Sequence, residues 1–154
     1  MVVLTLAALV LMSGCGLVRG AAVGTRALLG GNLRVQVRIA QDANQQNPVA
    51  MDLLLVYDKQ LLKQLLKMSA RDWYSKRRQV RRDYPRGTGF DVWEWEWVPG
   101  QSVPEQSLPL KAKARAAIIF AHYLVPGEHR ARIKPRQSIT ITLGKTAFTV
   151  QPLR

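Results

Sequence analysis

Phe90 to Val98 reads Phe-Asp-Val-Trp-Glu-Trp-Glu-Trp-Val, with tryptophan and glutamate alternating at every second position. Only an extended strand sends residues two apart to one side, so Trp93, Trp95 and Trp97 share a face and Glu94 and Glu96 share the other. The same period runs from Asn32 to Ile39, where Val35, Val37 and Ile39 alternate with Arg34, Gln36 and Arg38. Val49 to Tyr57 is an apolar run, and Ala114 to Leu124 contains Ile118-Ile119-Phe120-Ala121, apolar on both faces as in a central strand. Ser138 to Leu143 and Thr146 to Val150 form an alternating pair across Gly144-Lys145, a connection that favours positive φ. Residues 101–110, with Pro104 and Pro109, suit an edge, because proline cannot donate to the ladder. Six or seven short strands with turn signals at this spacing predict a mainly β chain folded as a β-sandwich.

A small helical element at about 58–84 interrupts the strands. Asp58 caps a segment in which Leu61, Leu62, Leu65 and Leu66 make an apolar stripe and Lys59, Lys63 and Lys67 face water. Ser69 with Asp72 gives a second capping signal, ahead of a helix with Ala70, Trp73, Val80 and Tyr84 near one face and arginine and lysine around it. Pro85 ends it.

The N-terminus has a different character. Met1 to Met12 is apolar and uncharged, and Leu11-Met12-Ser13-Gly14-Cys15-Gly16 resembles a bacterial lipobox. Residues 1–14 then form a lipoprotein signal peptide, and Cys15 carries a covalent lipid of the diacylglycerol and palmitate type. About twelve apolar residues fall short of the ~20 that span a bilayer. Residues 15–31, Gly/Ala-rich with Arg19 and Arg26, read as a tether, and residues 32–154 as one domain. Gly16 rather than Asp follows the cysteine, which by resemblance to bacterial lipoproteins favours the outer membrane over the inner. With one cysteine there is no internal disulfide, so the fold depends on burial. Twenty-three Lys and Arg against ten Asp and Glu leave the chain at +13, a charge that attracts anionic surfaces without choosing among them.

Candidate chemistry is sparse. His122 and His129 lie in different contexts and form no metal set, and neither a nucleophile elbow nor a phosphate loop occurs. Glu94 and Glu96 have the spacing of an acid/base pair, but a solvated or salt-bridged face is the simpler reading, and no enzyme is expected. The block Lys76, Arg77, Arg78, Arg81 and Arg82, near Trp73, Tyr74 and Tyr84, can meet phosphates and stack on bases. For an exported protein a solvated cationic face, or one pressed on anionic headgroups, fits better than nucleic acid. The three tryptophans are either core, the preferred reading, or an exposed recognition strip. Gln41, Asp42, Ala43, Asn44, Gln45, Gln46 and Asn47 form a polar stretch without apolar anchors, either a solvated connector or a partner-binding loop.

The order of these features is similar to the TssJ family of type VI secretion lipoproteins: a lipobox, a tether, a strand, a polar loop ending in Asn47-Pro48-Val49, an apolar strand closing in Leu55-Val56-Tyr57, a helical insert, Val98-Pro99-Gly100-Gln101-Ser102, and Ile118-Ile119-Phe120-Ala121-His122-Tyr123. The resemblance covers most of residues 32–150 and implies a transthyretin-like β-sandwich with an inserted helical element. It further implies a non-enzymatic tether in the outer membrane, facing the periplasm, that binds the periplasmic domain of an inner-membrane partner, TssM, through residues 41–47. It implies no small-molecule substrate and no cofactor beyond the lipid on Cys15. The basic insert at 70–86 departs from the family pattern. A competing reading is a periplasmic lipoprotein or pilotin of another envelope system, binding anionic polymers or partners through the basic helix.

Overall fold

The computed structural model describes residues 31–85 and 87–153; the signal segment, Cys15 and the tether up to residue 30 lie outside the described residues. Eight strands are described: β1 (Asn32–Ile39), β2 (Val49–Val56), β3 (Phe90–Trp97), β4 (Gln106–Pro109), β5 (Ala116–His122), β6 (Arg130–Ile133), β7 (Ile139–Leu143) and β8 (Phe148–Pro152). They form two sheets, ordered β4-β1-β7-β8 and β3-β2-β5-β6. β1 and β7 run parallel, with Val35 opposite Ile139, while the other pairs are antiparallel.

The layering follows from β2. Val49, Met51, Leu53 and Leu55 point between the sheets, into a core shared with Val35, Val37, Ile119 and Ile141. Leu54 and Val56 point the other way, into a second core with Leu61, Leu65, Trp73, Phe90, Ile118 and Phe120. Both faces of β2 and β5 are thus covered, which is why these two strands read as apolar runs, that of β2 broken only by Asp52. The tryptophans of β3 face the sandwich: Trp97 is buried, and Trp93 and Trp95 pack half-buried against the same core. β6 escapes sequence reading, since Arg130-Ala131-Arg132-Ile133 offers one short alternation and no long apolar run.

The second core is roofed by α1 (Lys59–Leu65) and α2 (Ala70–Asp83). Asp58 caps α1 by accepting from the Leu61 N–H at 2.7 Å. At α2 the Ser69 hydroxyl accepts from the Asp72 N–H at 3.1 Å, and the Asp72 carboxylate accepts from the Ser69 N–H at 3.0 Å. Aspartate therefore fills the position where a capping box usually has glutamate. The hydrogen bonds from Ser69, hydroxyl first and backbone next, hold the Asp72 carboxyl below its ordinary pKa. A depressed carboxyl stabilises the fold above its unfolded value of about 4, and that contribution fades as pH falls through the folded value. Ser69→Ala is expected to remove about 1 kcal/mol of stability at neutral pH, measured by urea unfolding, and to flatten the acid-side loss.

Candidate functional site

Between β1 and β2 the chain turns tightly at Ala43–Gln46, and Asn44, Gln45 and Gln46 have φ of 47°, 56° and 65°. Left-handed backbone costs a non-glycine residue roughly 1–2 kcal/mol, so three in succession persist only where the surroundings dictate them. Here they do. Ala43 is fully buried in the sandwich core, and the Asn44 N–H donates to Gly144 O at 3.1 Å. The Asn44 side chain, 3% exposed, donates from Nδ2 to Pro48 O at 2.9 Å and accepts at Oδ1 from the Leu124 N–H at 2.8 Å. Asn47 Nδ2 donates to Gln45 O at 2.9 Å, and the Gly100 N–H donates to Ala40 O at 3.2 Å. Four connections are thereby fastened into one end of the sandwich.

This arrangement corrects the expectation that residues 41–47 are a solvated stretch without apolar anchors. Ala43 is the anchor, and it and Asn44 are removed from any contact face, leaving Gln41, Asp42, Gln45, Gln46 and Asn47 accessible. Beside them, on the connections after β3 and β5, Val98 and Leu124 are each 55% exposed, the large hydrophobic residues most open to solvent among those described. The register places both next to the loop, because Val49 pairs with Trp97 and Ala50 with His122. Sequence reasoning passed over these two residues: each follows a strand whose apolar residues are buried or half-buried, and only the tertiary neighbourhood separates them. Within 41–48, 98–102, 124–127 and 144–146 the only charged residues are Asp42 and Lys145, in a chain of net charge +13. Charge depletion around exposed apolar side chains marks the centre of protein–protein interfaces.

The basic block has a different fate. Asp52, on the outer face of β2, is 1% exposed and accepts from Trp73 Nε1 at 2.8 Å, the Tyr74 hydroxyl at 3.3 Å and Arg77 Nη1 at 3.2 Å. Burial, and then the Asp52 charge, push the Tyr74 hydroxyl far above its ordinary pKa. Arg77 also reaches Glu94 at 3.0 Å, and Arg81 stands 2.7 Å from the same carboxylate. So Arg77 and Arg81 are locked onto the sheet, Val80 between them is buried, and Lys76, Arg78 and Arg82 remain exposed. The expected single cationic face of five residues is reduced to three. Glu94 is committed to two arginines, whereas Glu96 is exposed. The structure brings His122 and His129 to one small cleft with Arg71, unlike the separate contexts read from sequence. His122 is exposed with its ring 5.2 Å from Tyr74, His129 stacks on Tyr123 at 4.9 Å, and no group of three metal-ligating side chains occurs among the described residues.

No protein-family model matches the sequence, and no curated protein does. Solved structures match the fold. The type VI secretion lipoprotein TssJ1 from Pseudomonas aeruginosa matches with a TM-score of 0.63 at 14% identity, over 81% of this chain and 98% of that one. A chain of the structure described as the type VI secretion protein TssM C-terminal domain (869–1107) from EAEC matches with a TM-score of 0.59 at 15% identity, over 80% and 99%. Serratia marcescens Lip, a membrane-bound component of the type VI secretion system, matches with a TM-score of 0.59 at 14% identity, over 81% and 97%. The chain has the TssJ-like fold, a transthyretin-like β-sandwich carrying two helices.

Proposed function

We propose that this protein is a lipoprotein of the outer membrane, anchored through a lipid on Cys15 and facing the periplasm, that tethers a type VI secretion envelope complex by binding a TssM-like inner-membrane partner. The observation that carries the reading is the rigid, charge-poor loop end, where Gln45, Gln46 and Asn47 stand between exposed Val98 and Leu124. The TssJ-like fold supports it. The role is binding rather than catalysis, and Glu94, held by Arg77 and Arg81, serves the helix rather than a substrate. A lipid anchor keeps a modest protein-protein site at high local concentration near its partner.

The test has two arms. Wild type and Cys15→Ser are compared by palmitate labelling and membrane fractionation; label in wild type and its loss, with mislocalisation, in the variant are expected. Binding to the periplasmic domain of the TssM-like protein from the same organism is then measured for Val98→Asp, Leu124→Asp and Gln45→Ala/Gln46→Ala. Each aspartate is expected to weaken binding at least about tenfold, since it buries an unpaired charge in the contact. Undiminished binding by both aspartate variants sinks the assignment of this surface.

A further inference from the structure

The sandwich is electrically lopsided. At the end opposite the 41–47 loop, Lys111, Lys113 and Arg115 lie between β4 and β5, Lys134 and Arg136 between β6 and β7, and Lys59 opens α1; all six are exposed. Ala117 pairs with Ile133, so the two basic connections leave the sheet side by side. The end of α2 arrives at the same place, since Lys113 Nζ donates to Gly87 O at 3.1 Å, and it brings exposed Arg82. The carboxylates here are already engaged. Asp58 caps α1, Asp83 accepts from Gln79, and Asp91 is held by Lys111 at 2.7 Å and by the Tyr57 hydroxyl at 2.6 Å. Lys113, Arg115, Lys134 and Arg136 form no ion pair with a described carboxylate.

We infer that this basic end is a membrane-facing surface that takes the anionic headgroups of phospholipids. Charge complementarity is the first argument. Where the chain enters is the second: Gly31, the first described residue, belongs to this end, its carbonyl accepting from the Leu110 N–H at 2.9 Å. Sixteen residues from Cys15 to Gly31 reach at most about 55 Å when extended and about 22 Å as a flexible coil. Gly31 places the entry at the basic end, so, on the proposed anchoring at Cys15, seating that end on headgroups within the tether's reach aims the charge-poor loop end away from the bilayer, toward a partner. The surface itself requires no acylation.

The test is co-sedimentation of the full chain carrying Cys15→Ser with vesicles of phosphatidylcholine, alone or mixed with phosphatidylglycerol. The chain is expected to partition onto the mixed vesicles in excess of the neutral ones, and added salt is expected to erase the excess. Each cation near an anionic surface contributes about fivefold, so Lys113→Gln/Lys134→Gln/Arg136→Gln is expected to lower that partitioning on the order of a hundredfold. Lys134→Gln/Arg136→Gln changes two exposed side chains outside the core and guards against misfolding as the cause; it is expected to give on the order of a 25-fold loss. Lys76→Gln/Arg78→Gln, on the helix, is expected to change little. Equal partitioning of the parent chain onto both vesicles, an unaffected triple variant, a helix variant that loses as much as the loop pair, or binding to heparin without binding to vesicles each overturns the inference.

Discussion

Trp73→Ala is expected to remove about 3–5 kcal/mol of stability, read as a lower urea midpoint, out of the roughly 5–15 kcal/mol available to a domain of this size. Trp73 is fully buried, stacks on Phe120 at 5.3 Å and meets Phe90 edge-on at 6.1 Å, so truncation opens a cavity in the middle of the second core. It also removes the Nε1 donor from the buried Asp52 carboxylate. Trp73→Phe keeps an aromatic ring beneath α2 while losing the donor and part of the indole's volume, and is expected to fall between wild type and alanine, the donor accounting for about 1–3 kcal/mol. Asp52→Asn removes the charge that Arg77 and Trp73 share, and its double variant with Trp73→Phe is expected to be less destabilised than the sum of the singles, because both act on one contact. A Trp73→Ala loss below about 1 kcal/mol means that the helices rest on the sheet without being fastened to it.

That fastening was half legible in the sequence. The period of α2 places Trp73 and Val80 on its buried face, and both caps were visible as Asp58 and Ser69 with Asp72. Asp52 was not, because a single carboxylate inside an apolar strand carries no sign of its partners, which lie 21 to 25 residues away on a helix crossing the sheet. The pairing of β1 with β7 joins residues 104 apart, and no local pattern encodes it. The tryptophan row was legible as a strand with one aromatic face, because alternation states which residues share a side; that this side is the sandwich core, with Trp97 buried and Trp93 and Trp95 half-buried, is decided by the packing of the second sheet. The site was less so. The sequence shows that residues 41–47 are polar, but their burial depends on Gly144 O and the Leu124 N–H, from connections distant in the chain. The basic end is likewise assembled from connections that only the fold brings together, whereas the Lys76 to Arg82 run, conspicuous in sequence, spends two of its arginines on Asp52 and Glu94.

Asn44→Ala is expected to lower stability by at least about 3 kcal/mol and to weaken partner binding at least tenfold, through the shape of the loop rather than through a lost contact. The Asn44 side chain is almost wholly buried, so it cannot touch a partner; its work is to satisfy the Leu124 N–H and Pro48 O while its own φ stays at 47°. Alanine leaves both backbone groups unpaired, at about 1–3 kcal/mol each, and tolerates left-handed backbone worse by about 1 kcal/mol. Asn44→Gly relieves only the backbone part and so falls between wild type and alanine in stability. Asn44→Asp keeps an acceptor for Leu124 but turns an oxygen toward Pro48 O, and is expected to resemble alanine. Once the loop is no longer held, binding must order Gln45, Gln46 and Asn47, at roughly 0.5–1.5 kcal/mol for each side chain immobilised. Affinity and urea stability measured on the same three variants decide the matter: binding that falls with stability across the series supports a preorganised recognition loop, and binding that stays at wild-type strength in Asn44→Ala shows that the contact lies elsewhere on the domain.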